Sequence, residues 1–117
     1  MTTYQRLMDL IAERQGKFQT GSAKLLGRQL GYEEKRMAYS QREVADMVQH
    51  LRDHHHEGHL IGITGEGYYW ITTQAEADET YARLVGPALA RIRRAERFRR
   101  RWGIPTPQLE LELEGVA

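Results

Sequence analysis

The sequence predicts a mainly α-helical domain that carries one small β-hairpin and ends in a long amphipathic helix. Three observations predict it. Apolar residues recur at three- and four-residue spacing in four stretches, two Ser/Thr-x-x-Glu boxes mark helix starts, and the turn Thr64-Gly65-Glu66-Gly67 is flanked by β-branched and aromatic residues. A length of 117 residues suits one compact domain with a modest core.

Tyr4, Leu7, Met8, Leu10 and Ile11 make one apolar stripe on a helix expected from about Thr3 to Gln15, which Gly16 ends. Ser22 is the N-cap of a short second helix that buries Leu25, Leu26 and Leu30 and stops at Gly31. A polar connection, residues 31–39, leads to the clearest helix start. There Ser40 and Glu43 form a capping box ahead of the stripe Val44, Met47, Val48 and Leu51. The runs 59–63 and 68–72 read as two short strands joined by a tight turn. A second box, Thr73 and Glu76, opens a helix from Gln74 to about Trp102, kinked or broken into two at Gly86-Pro87. In the tail, Leu109, Leu111 and Leu113 alternate with Glu110, Glu112 and Glu114, so it is either a disordered acidic tail or a strand that pairs with something. Three segments follow from this layout: 1–73, 74–102 and 103–117.

Composition narrows the function. The chain has no cysteine, which excludes disulfides, thiolate zinc sites and a cysteine nucleophile. No stretch reaches the roughly 20 apolar residues a membrane span needs, and the first residues lack the order of a signal peptide. A soluble, cytoplasmic protein is expected. There is no phosphate-binding glycine loop, nucleophile elbow or metal-protease helix, so neither an enzyme nor a cofactor is expected. His50 and His54 lie one helical turn apart beside His55, His56 and His59. With few carboxylates nearby they are better read as helix-end histidines, which add positive charge near pH 6, than as metal ligands.

The order helix, short helix, turn, capped helix, glycine-turned hairpin is the layout of a winged helix-turn-helix, whose second helix enters the DNA major groove. With Val44, Met47, Val48 and Leu51 facing inward, Gln41, Arg42, Ala45, Gln49 and Arg52 face outward together with Asp46 and Asp53. Arginine suits guanine, glutamine suits adenine, and alanine can touch a thymine methyl. Lys35, Arg36 and Tyr39 in the preceding turn are either phosphate ligands or a solvated loop. Alternation along the second strand puts Tyr69 and Ile71 on one face and Tyr68 and Trp70 on the other. One of those faces must cover the core, and packing is the favoured use of the aromatic run over stacking on nucleotides.

The run Leu60-Ile61-Gly62-Ile63-Thr64-Gly65-Glu66-Gly67-Tyr68-Tyr69 resembles the wing of biotin-repressor-type and related phage and prophage winged-helix proteins. Thr72-Thr73, an acidic helix and then an Arg-rich helix are also similar to small phage-encoded winged-helix proteins. The resemblance covers roughly residues 3–102. It implies duplex DNA as partner, with Ser40, Gln41, Arg42, Ala45 and Gln49 at recognition-helix positions and Ser22 and Lys24 near a phosphate. Glu66 departs from the pattern, since relatives often carry lysine there and an anion repels the DNA backbone.

The average charge, 17 Lys+Arg against 16 Asp+Glu, hides an asymmetry. Residues 91–101 hold seven arginines and one glutamate. Projected at 100° per residue, Arg93, Arg94, Arg97, Arg100 and Arg101 fall on one side of the last helix. Tyr81, Leu84, Val85, Ala88, Ile92, Ala95, Phe98 and Trp102 fall on the other. The spacing 81, 85, 88, 92, 95 alternates four and three, the period of a coiled-coil seam, so a homodimer through this helix is expected, with packing on the first helix as its competitor. The basic face has three readings: phosphate contact, solvated surface, or a dock for the acidic tail. A different class of function fits the same layout, a winged-helix module that binds a host or phage protein.

Overall fold

The computed structural model describes residues 2–105. Helix α1 spans Thr3–Ala12, α2 Ala23–Glu33, α3 Gln41–His54 and α4 Gln74–Trp102; strands β1 Ile61–Thr64 and β2 Gly67–Trp70 form one antiparallel hairpin. The architecture is therefore mainly helical with one hairpin and a long C-terminal helix, as the sequence predicts. The chain divides into two compact units between Arg83 and Leu84.

The core of the first unit is built from Leu7, Met8, Leu10 and Ile11 of α1, Leu26 and Leu30 of α2, Val44, Val48 and Leu51 of α3, and Ile61 of β1. Each fully buried aliphatic side chain contributes about 1.5–3 kcal/mol against chain entropy. Leu25, expected inside, is exposed instead, because the buried stripe of α2 follows Leu26 and Leu30. The caps set the helix starts: Ser22 Oγ accepts from Leu25 N at 3.0 Å, and Ser40 Oγ accepts from Glu43 N at 3.1 Å while Ser40 N donates to Glu43 Oε1 at 3.0 Å.

Several expected boundaries move. Helix α1 ends at Ala12 rather than Gln15, since the chain there turns to pair with β2: Trp70 N donates to the Arg14 carbonyl (2.7 Å) and Gly16 N to the Trp70 carbonyl (2.9 Å). Helix α2 runs through Gly31 to Glu33. Gly31 serves close packing rather than termination, for a Cβ on it would lie 2.6 Å from the Met37 carbonyl oxygen. His59 and Leu60 belong to a 3-10 turn, His56–Leu60, not to the strand. At the start of α4, Thr73 Oγ1 accepts from Glu76 N, and the Glu76 carboxylate accepts from the amides of Thr72 (2.9 Å) and Lys17 (2.8 Å). Those amides hold the Glu76 carboxyl below its ordinary pKa.

Helix α4 is continuous through Pro87 rather than broken. Proline removes one helix donor, but Gly86 and Pro87 are exposed, so water can serve the carbonyl left without a partner. Among the described residues no helix is long and apolar enough to cross a membrane. Of the predicted tail 103–117, residues 106–117, with the Leu/Glu alternation, lie outside the described residues.

Candidate nucleic-acid interface

The hairpin pairs Ile61 with Trp70, Gly62 with Tyr69, Ile63 with Tyr68 and Thr64 with Gly67, leaving Gly65 and Glu66 at the tip. Its outer edge is pinned to the body by Gly21, whose amide donates to the Tyr68 carbonyl (2.8 Å) and whose carbonyl accepts from Tyr68 N (2.9 Å). Gly67 has φ +151°, and a Cβ on it would run into the Gly21 carbonyl, so this close approach requires glycine. The aromatic run packs. Tyr69 is fully buried with its ring over Gly62, while Tyr68 and Trp70 lie half-buried against the core cluster. Burial pushes the Tyr68 hydroxyl above its ordinary pKa.

On α3, burial of Val44, Val48 and Leu51 turns Gln41, Arg42, Ala45 and Gln49 to solvent. Positions 42, 45 and 49 share one side of the helix. Asp46 and Asp53 are exposed on the same side. Arg52, expected to face outward, instead folds onto the hairpin. Its Nη2 donates to the Ile61 carbonyl at 2.9 Å, and desolvation lowers its pKa while leaving it charged. Ser40 is exposed at the start of α3, and its hydroxyl keeps a hydrogen to donate while the oxygen caps the helix.

An open groove brings the start of α2, the start of α3 and the hairpin together; its lining includes Ser22, Lys24, Gln41, Thr64, Glu66 and Tyr68. Three of the sequence-predicted contacts, Ser22, Lys24 and Gln41, thus meet beside the tip. Glu66 places an anion in the same groove. Arg83 is a cation that sequence reasoning missed: its Nη1 lies 3.9 Å from where a Cβ on Gly65 would sit. Its only signal is that it falls on the same side of the projected helix as Arg94 and Arg101.

Arg36 and Tyr39 hold the turn between α2 and α3. The Arg36 guanidinium stacks 3.8 Å from the Tyr39 ring centroid, and its Nε donates to the Met37 carbonyl (3.1 Å). The Tyr39 hydroxyl donates to Glu34, which also accepts from Thr3 Oγ1 and Arg6 Nη1, each at 2.7 Å. Tyr39, then Thr3 and Arg6, hold the Glu34 carboxyl at about 2. The Tyr39 hydroxyl is thus engaged inside the domain, whereas Arg36 is exposed. His50 stacks on Tyr4 with ring centroids 4.2 Å apart, and His54 lies 4.6 Å from His50. Among the described residues no three His, Asp or Glu side chains gather to hold a metal.

In the second unit, Arg93, Arg94, Arg97 and Arg101 are exposed and form no ion pair among the described residues. Arg100 Nε lies 3.3 Å from Glu96 Oε1, and Arg99 binds the same carboxylate, so that Glu96 is held at about 2 by Arg99 first and Arg100 second.

Comparison of the chain with protein-family models, with curated proteins and with solved structures returns no match. The site is therefore read from its own chemistry. It comprises a rigidly capped helix with a guanidinium, a methyl and a carboxamide on one side, a groove with two exposed donors beside it, and a separate run of solvent-facing arginines.

Proposed function

We propose that the chain is a small winged-helix DNA-binding protein of the cytoplasm, acting as a transcriptional regulator or as a phage replication or packaging accessory. The observation that carries the reading is α3: Arg42, Ala45 and Gln49 are exposed on one side of a helix whose start is fixed by a complete capping box and whose other side is core. Arg42 pairs with guanine, Gln49 with adenine, and Ala45 meets a thymine methyl, each bidentate pair discriminating by about 1–3 kcal/mol. The hydroxyls of Ser22 and Ser40 and the Lys24 ammonium take phosphates, which fix register without reading sequence. Arg93, Arg94, Arg97, Arg100 and Arg101 add a sequence-independent attraction that weakens with salt.

A second reading is favoured by Asp46 and Asp53 on α3 and Glu66 at the hairpin tip, all exposed: a module that binds a basic face of a protein partner. The double variant Arg42→Ala/Gln49→Ala separates the two in a selection from random duplexes. DNA reading predicts that the wild type enriches a site and the variant enriches none. Equal enrichment by both proteins would contradict the role given to α3.

A further inference from the structure

Residues 84–102 of α4 carry an apolar stripe that is exposed among the described residues: Ile92, Phe98 and Trp102 are 62%, 61% and 69% exposed, and Leu84 and Leu89 are exposed as well. A stripe of this length on an otherwise arginine-rich helix is costly to leave in water. We infer that residues 84–102 pair with the same segment of a second copy of the chain, as a parallel two-stranded coiled coil.

The spacing and the charges choose this occupant. In heptad terms Val85, Ile92 and Arg99 take a positions, and Ala88, Ala95 and Trp102 take d positions. Leu84, Arg91 and Phe98 then fall at g, and Leu89 and Glu96 at e. Every other arginine of the segment, Arg93, Arg94, Arg97, Arg100 and Arg101, falls at an outer position, away from the partner. The seam is bordered by only two charges, one of each sign, five residues apart. Five is the separation that matters: in a parallel, in-register pair, g of one helix faces the following e of the other, so Arg91 meets Glu96 of the second copy on both sides of the seam. An antiparallel pair sets g against g and e against e, which opposes like charges. Arg99 does not spoil the seam. Its guanidinium turns back along its own helix to Glu96 and to the Ile104 carbonyl (2.9 Å), which leaves its methylene stem to pack. Glu96 has acceptor capacity for one more donor beyond Arg99 and Arg100.

The inference does not rest on DNA binding, and its test uses none. Sedimentation equilibrium of the full chain at micromolar concentration should return the mass of two chains. Arg91→Glu and Glu96→Arg should each weaken self-association roughly tenfold, because each opposes like charges twice, and an equimolar mixture of the two variants should recover it. The chain has no cysteine, so Ile92→Cys supplies a single thiol at a seam position. Mild oxidation should link it to its equivalent, whereas Arg94→Cys on the outer face should stay unlinked. Arg91, Ile92 and Arg94 are exposed, Glu96 is half-buried and none of them belongs to the core, so the variants leave the core intact, and circular dichroism checks that they do. A one-chain mass throughout the micromolar range would overturn the inference. So would a two-chain mass without the Ile92→Cys link, or mixed variants that associate no better than either alone.

Discussion

Glu34→Gln tests how α3 is held in place. Glu34 follows α2 and gathers Tyr39 O–H, Thr3 Oγ1 and Arg6 Nη1, tying α1 to the turn that launches α3. Its side chain is only 10% exposed, and its carboxyl is held at about 2 against an ordinary 4.5. At about 1.4 kcal/mol per tenfold change in proton affinity, that difference sets a ceiling of about 3 kcal/mol on what ionised Glu34 contributes. The Arg6 side chain is 36% exposed, so its share is screened by solvent, which brings the expected loss in the variant to about 1–2 kcal/mol. That corresponds to a fall in Tm of about 5–10 °C for a domain of this size. The sign with pH follows from the depressed pKa. The contribution is complete above 4.5 and is lost as pH falls through 2, so by pH 3 roughly half or less remains. Urea unfolding of both proteins at pH 7 and pH 3, followed by circular dichroism, reads the gap directly. No gap at pH 7, or a gap that stays undiminished at pH 3, would refute the reasoning.

Other outcomes follow from the same geometry. Gly67→Ala should cost about 2–4 kcal/mol, from an unfavourable φ and from separating the hairpin from Gly21, and should appear as a lower urea midpoint. Glu66→Lys turns the one anion lining the groove into a cation, so it should raise affinity for random duplex and steepen the salt slope by about one contact per site. If Glu66→Lys left binding unchanged at low salt, the groove would not lie against DNA. Leu51→Ala removes a fully buried side chain under α3 and should destabilise by about 2–5 kcal/mol in thermal unfolding.

What could be read from sequence was local. The Ser40–Glu43 box, the hairpin and the inward stripe of α3 depend on residues a few positions apart, and each stands where periodicity and capping chemistry place it. What escaped depends on distant partners. The pairing of residues 14–21 with β2 uses backbone groups alone and leaves no alternating pattern. Glu34 meets Thr3 across 31 positions. Gly31 resembles a helix stop in sequence, yet it admits the backbone of Met37. Arg52 projects outward on an ideal helix, but the Ile61 carbonyl, left open at the start of the hairpin, draws it in. At the candidate site, the exposure of Arg42, Ala45 and Gln49 was legible because the core stripe determines it. The meeting of Lys24, Gln41 and Glu66 in one groove was not, because three separate elements create it.

The central claim is that this chain binds duplex DNA through charge and α3 together. Fluorescence anisotropy of a labelled random-sequence duplex, titrated with the full chain at several salt concentrations, tests it most directly. The account predicts saturable binding at low salt that weakens steeply and log-linearly as salt rises, with a slope reporting several phosphates neutralised. Absence of binding at low salt would contradict it and leave the protein-partner reading as the one the exposed acids of α3 and the hairpin tip support.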